Sequence, residues 1–158
     1  MKKYFLFLIF ILGCSSYTPP QNYKFDNQKN FNHEFDFIWS KTLDFMMLNN
    51  LPLQTIDKVS GIIQTSSVLI PSDLRSIISD CGLIGMVKDP TYADYFSITV
   101  KINPNKSVFI NCVFSNKPLQ EYYSNLTCVS KGTLEKYYYD YLDGLNSGKI
   151  DAMKVGVE

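Results

Sequence analysis

Two neighbouring stretches of alternating residues constrain this chain more than anything else in it. From Tyr95 to Ile102, the apolar residues Phe96, Ile98, Val100 and Ile102 take every second position. From Ser107 to Phe114, Val108, Ile110, Cys112 and Phe114 do the same. Successive side chains of a strand point to opposite faces, so a period of two predicts two strands, each with one buried face. Only Asn103-Pro104-Asn105-Lys106 lies between them. So short a turn joins strands antiparallel.

The remaining elements are read around this hairpin. Phe31 to Asn50 is predicted to be a helix. Phe35, Ile38, Trp39, Thr42, Leu43 and Met46 recur at spacings of three and four and form one apolar face. Asn49-Asn50 and Pro52 end it. Leu53 to Ile56 and Gly61 to Ile70 are predicted strands, with Asp57-Lys58-Val59-Ser60-Gly61 as their turn and Pro71 as a stop. Residues 71–93 hold a possible short helix, Leu74-Arg75-Ser76-Ile77-Ile78. Cys81-Gly82, Gly85 and Asp89-Pro90 speak for loop around it. Thr133 to Leu145 is predicted to be a closing helix with Leu134, Tyr138, Tyr141, Leu142 and Leu145 as its stripe, ended by Ser147-Gly148. The expected class is α+β: a four-stranded antiparallel sheet with an N-terminal and a C-terminal helix packed on one face. The chain has 158 residues, 46% of them hydrophobic, which suits one domain with a real core. That domain is expected over residues 31–148, followed by a frayed tail at 149–158.

The N-terminus carries an address. Lys2-Lys3 precede an unbroken apolar run from Tyr4 to Leu12, then Gly13 and Cys14. This is the pattern of an export signal with a positive start and a short apolar centre. As a helix the run would reach about 14 Å, roughly half of a hydrocarbon core, so it is too short to span one. Ile11-Leu12-Gly13-Cys14 resembles the lipobox of bacterial lipoproteins. The resemblance implies that residues 1–13 are removed and that Cys14 carries lipid, including a palmitate-type acyl chain. One chain holds weakly and two or three hold firmly, because each buried methylene contributes about 0.8 kcal/mol. Ser15 follows the cysteine, where Asp would signal retention. By resemblance to Gram-negative sorting, this implies the periplasmic face of the outer membrane rather than the inner membrane. Residues 14–30 include Pro19-Pro20 and lack apolar periodicity, so they are expected to be a flexible tether.

Processing leaves Cys81, Cys112 and Cys128 in an oxidising compartment, enough for one bridge and one thiol. Cys112 falls on the apolar face of a strand, where a free thiol behaves as a small hydrophobe. Cys81 and Cys128 lie at loop edges and are the expected disulfide. Cys112–Cys128 is the rival pairing. The cysteines do not form close pairs of the zinc-site kind, and no metal or other cofactor is expected.

Charge excludes further classes. The chain carries 15 basic and 15 acidic side chains. Loss of Lys2 and Lys3 with no acid takes the net charge from 0 to −2, which gives no footprint for nucleic acid. His33 is the only histidine and sits at a helix start. Glu34 and Asp36 point to different faces and do not form an acid–base pair. Glu135, in the first turn of the last helix, is expected to complement the helix dipole. Arg75 is the only arginine and is read as a surface residue or the partner of a carboxylate rather than an anion clamp. Tyr122-Tyr123 and Tyr137-Tyr138-Tyr139 mark an aromatic-rich end, either packed on the sheet or exposed as a contact patch. Asn105-Lys106-Ser107 and Asn125-Leu126-Thr127 match glycosylation sequons, which mean little in a bacterial lipoprotein. The chain is therefore not expected to be an enzyme.

Several short motifs resemble those of small envelope lipoproteins. They are Ile38-Trp39, Leu51-Pro52-Leu53, Ile56-Asp57-Lys58, Ser60-Gly61-Ile62-Ile63, and Cys128-Val129-Ser130-Lys131-Gly132-Thr133-Leu134-Glu135. Over roughly residues 31–145 the plan resembles the helix-grip domain of the C-subunit lipoprotein of the outer-membrane β-barrel assembly machinery. That subunit has two such domains and this chain one. The resemblance implies a non-enzymatic role through contacts with an envelope protein, in outer-membrane assembly or maintenance. The alternative expectation is a carrier or sensor of a small apolar ligand held between sheet and helix.

Overall fold

The computed structural model describes residues 17–84, 92–118 and 126–150. Residues 1–16, which include the expected signal segment and Cys14, lie outside the described residues, as do Gly85, Asp89-Pro90, Tyr122-Tyr123, Asn125 and residues 151–158. In chain order the elements are β1 (Tyr17–Thr18), β2 (Gln28–Asn30), α1 (Phe35–Leu48), β3 (Leu53–Asp57), β4 (Ile62–Thr65), β5 (Val68–Leu69) and α2 (Ser72–Ile78). They continue with β6 (Ser79–Asp80), β7 (Leu83–Ile84), β8 (Tyr92–Ile102), β9 (Ser107–Pro118), β10 (Leu126–Thr127), β11 (Val129–Ser130) and α3 (Thr133–Leu142). The fold is α+β, and every strand pair is antiparallel. The main sheet runs β10-β9-β8-β4-β3, with β2 also on β9 and β5 also on β8. It has seven strands, or six if β4 and β5 are taken as one interrupted strand. Two two-stranded ladders, β1–β7 and β6–β11, stand apart from it.

The predicted hairpin is present, and β8 and β9 pair without a break from Ile102↔Val108 to Tyr92↔Pro118. Its turn closes through Lys106 N–H donating to Asn103 O at 2.9 Å, and Asn105 Oδ1 accepts from both the N–H and the hydroxyl of Ser107. Phe96, Ile98, Val100, Ile102, Val108, Ile110, Cys112 and Phe114 are all buried, as their period of two requires. The predicted second strand, Gly61 to Ile70, is broken. Ile62↔Lys101 and Gln64↔Thr99 keep one register, and Val68↔Phe96 is displaced from it by one residue. Such an insertion deprives a backbone donor of its carbonyl. The hydroxyl of Thr65 takes that place, accepting from Ile98 N–H at 2.9 Å in the core.

The first helix starts later than predicted, at Phe35 rather than Phe31. Phe31 is pinned outside it, donating its N–H to Lys106 O at 3.1 Å while its ring is buried. The last helix ends at Leu142, and Leu145, expected on its apolar stripe, is largely exposed. Residues of α1, α3 and the inward face of the sheet belong to one hydrophobic cluster. The two helices also meet directly through Thr42 Oγ1 and Tyr138 Oη, 2.7 Å apart and fully buried. Among the described residues, no helix is long and apolar enough to cross a membrane.

The segment expected to be a free tether is laid along the domain instead. Tyr17 and Thr18 pair with Ile84 and Leu83. Gln21 N–H and Tyr23 O–H both donate to Asp80 Oδ2, at 3.1 and 3.0 Å. Gln28, Lys29 and Asn30 pair with Phe109, Val108 and Ser107. Phe25 sits where a β-carbon on Gly132 would lie, and Gly132 has φ +80°. A glycine is therefore required there twice over, by the left-handed backbone and by the ring. The polar sequence of this strap hides its structure, because backbone groups on the edge of β9 supply the pairing.

Candidate functional site

The described polar chemistry gathers at the open end of the β8–β9 hairpin, opposite its turn. Two features meet there, and a third lies beside them, midway along β9. The first is the disulfide Cys81–Cys128, the expected pairing, across 47 residues of chain. It lies beside the β6–β11 ladder, where Asp80 pairs with Val129 and Ser79 with Ser130. Further contacts seat α2 against the start of α3. Lys131 N–H donates to Ile78 O at 3.1 Å and the Thr133 hydroxyl to Ile77 O at 3.0 Å. On chain-entropy grounds the bridge stabilises by about 4 kcal/mol.

The second feature is a buried polar cluster. Asp94 and Asn116 stand directly opposite each other on β8 and β9, on the inward face, and both are buried. Asn116 Nδ2 donates to Asp94 Oδ1, and Arg75 Nε from α2 pairs with Asp94 Oδ2. The side chain of Asp94 is 1% exposed, and the paired guanidinium offsets part of the cost of burying a carboxylate there. Cys81 Sγ lies 4.0 Å from Asp94 Oδ1, which places the cluster against the disulfide. Asn116 Oδ1 is buried without a hydrogen-bond partner among the described residues. Arg75 is thus the partner of a carboxylate, one of its two expected roles. Asp94 and Asn116 were legible in principle, since each continues the inward alternation by one more step toward the open end.

The third feature is a cavity of about 300 Å³ at the edge of β9, under the strap. Its lining includes Tyr23, Phe25, Ile110, Cys112, Ser130 and Glu135. The edge of β9 is covered by β2 at Ser107–Phe109 and by β10 at Ser115–Asn116. The carboxylate of Glu135 serves the gap between them. It accepts the Ser130 hydroxyl at 2.8 Å and lies near Cys112. Glu135 lies in the first turn of α3, where it was expected to complement the helix dipole, and it is 1% exposed. Its neighbours at spacings of three and four, Tyr138 and Tyr139, are buried too, and the same face takes it inward. Burial raises its pKa, and the hydrogen bond from Ser130 offsets only part of that. Burial, followed by the charge of Glu135, also pushes the Cys112 thiol well up. Among the described residues Cys112 is the free cysteine, buried where a thiol favours its protonated form.

Other candidates are accounted for by local contacts. His33 packs against Phe37, with ring centroids 4.6 Å apart and the ring planes tilted by 38°. Glu34 pairs with Lys106 and Asp36 with Lys58, at 2.6 and 2.9 Å, both at the surface. Tyr137, Tyr138 and Tyr139 are all buried rather than displayed. Their hydroxyls bond Lys149 O, Thr42 and Val108 O. The space between the sheet and the helices holds Ile98, Val100, Leu134 and Tyr138, each 0% exposed. Sequence reading missed the strap's bonds to Asp80 and the role of Ser130, since neither has a periodic signal. Compared with known protein families and with curated proteins, the chain matches none.

Proposed function

We propose that the protein is a lipid-anchored lipoprotein on the periplasmic face of the bacterial outer membrane, working without catalysis through contacts with other envelope proteins. The observation that carries this reading is the run Lys2-Lys3, Tyr4 to Leu12, Ile11-Leu12-Gly13-Cys14. The Cys81–Cys128 disulfide supports it, because stable bridges belong to oxidising compartments. The burial of the Cys112 thiol and the packing of His33 against Phe37 support a non-catalytic role. The arrangement is read as a helix-grip domain. Its four long strands are β3, β4, β8 and β9, gripped by α1 and α3, with the short strands as additions. A place in outer-membrane assembly or maintenance follows from the same likeness.

Mass spectrometry of the membrane-extracted protein under non-reducing conditions tests the anchor. The expected species begins at Cys14, carries a diacylglyceryl group and contains one disulfide. A chain that starts elsewhere or lacks acyl groups would overturn the reading. Crosslinking in intact cells tests the partner, and failure to recover any reproducible protein would count against it.

A further inference from the structure

Resting on that reading, we infer that the domain does not swing on a leash. The docked strap holds it close to the bilayer with its open, disulfide-bearing end toward the lipid headgroups. Only Ser15 and Ser16 lie between Cys14 and Tyr17, where β1 begins. Three Cα steps reach at most about 11 Å. From β1 onward the strap is spoken for. It is held by the ladder to β7, by two hydrogen bonds to Asp80, by Phe25 against Gly132 and by the ladder to β9. It begins at the open end and finishes opposite Ser107, beside the hairpin turn. The eleven residues of β8, at about 3.3 Å each, put the two ends roughly 35 Å apart. The lipid therefore leaves the domain at one pole. Tyr17, 46% exposed at that pole, has the amphipathic ring that favours the headgroup layer. The occupant of this face is the membrane surface, and the hairpin turn with the start of α1 points away from it.

The test uses the lipidated protein in nanodiscs of phosphatidylethanolamine and phosphatidylglycerol, with a gadolinium chelate on a fraction of the lipid headgroups. Amide NMR signals of Ser79–Gly82 and Val129–Lys131 should be lost to paramagnetic broadening. Those of Lys58–Gly61 and Asn103–Lys106 should persist. A second preparation carries Tyr23→Phe and Asp80→Ala, which removes both strap bonds to Asp80, and there the contrast between the two ends should shrink. Equal broadening of the two ends, broadening of the turn end alone, or an undiminished contrast in the variant would each overturn the inference. Cys14 without an acyl group in the same preparation would sink the lipoprotein reading itself.

Discussion

The two ends of the β8–β9 hairpin are closed in different ways. At the turn end each turn closes on itself: Lys106 N–H bonds Asn103 O and Ser60 N–H bonds Asp57 Oδ1, and a single backbone bond, from Ile102 N–H to Gly61 O, ties the two turns together. Its ion pairs, Lys106–Glu34 and Lys58–Asp36, are exposed. At the open end the closure is long-range. A disulfide spans 47 residues, Arg75 reaches Asp94 in the core, and β6 pairs with β11. The difference teaches where stability is stored. Local turns hold themselves, and exposed pairs add little. An open strand end keeps its shape only if distant segments are brought to it and fastened.

The largest expected effect is therefore at the open end. Replacing both Cys81 and Cys128 by alanine should cost about 4 kcal/mol of unfolding free energy, read from urea denaturation. Limited proteolysis of that variant should cut near α2 and β11 before it cuts the hairpin turn. Equal losses at the two ends would erase the contrast. Asp94→Ala should cost about 3 kcal/mol, because it leaves Arg75 and Asn116 facing a site built for a carboxylate. At the opposite extreme, Lys106→Ala should cost less than about 1 kcal/mol by the same assay.

Between these lies Glu135, whose contribution is read through pH. Its folded pKa is raised above its usual value of 4.5, so the folded state holds the proton more tightly than the unfolded chain. Stability from this group is fully present below about pH 4.5. It falls as pH rises toward the raised value and is level above it. Glu135→Gln should flatten that slope, so the variant gains on the parent as pH rises through this window. Asp80 works with the opposite sign. Burial pushes it up, but the N–H groups of Gln21 and Gly82 and the Tyr23 hydroxyl outweigh burial and leave it lowered. Its contribution is lost as pH falls through the lowered value. A titration of parent and Gln variant in parallel separates the two, and equal slopes would show that Glu135 is not the group responsible.

The same contrast explains what could be read in advance. The hairpin and the faces of α1 and α3 announce themselves, because periodic burial leaves a periodic sequence. Cys81–Cys128 was accessible by arithmetic once Cys14 was assigned to lipid and Cys112 to a strand interior. The strap was not. Gln28-Lys29-Asn30 has no apolar member, and it becomes a strand only because β9 offers unpaired backbone. Glu135 was read only as a complement to the helix dipole, because its place in a first helical turn is all that a local window shows. Its burial depends on a gap in the edge of β9, 23 residues earlier at Cys112, that no local window contains.

The burial of Cys112 has a consequence for the order of events in oxidative folding. With Cys14 taken up by lipid, as proposed, the remaining three thiols allow three one-bridge isomers, and only Cys81–Cys128 is native. The β8–β9 pairing that turns Cys112 onto the inward face of the sheet is local in sequence, and local contacts form early. Withdrawal of Cys112 therefore begins before Cys81 and Cys128 meet and is completed when α3 brings Glu135 over it, so the two wrong bridges are disfavoured by timing as well as by energy. Acid-quenched refolding from the reduced chain should show few species bridged through Cys112. Cys112→Ser, which removes both competitors, should speed recovery of the native bridge only slightly. A large acceleration would mean that the thiol is still reachable when the bridge closes.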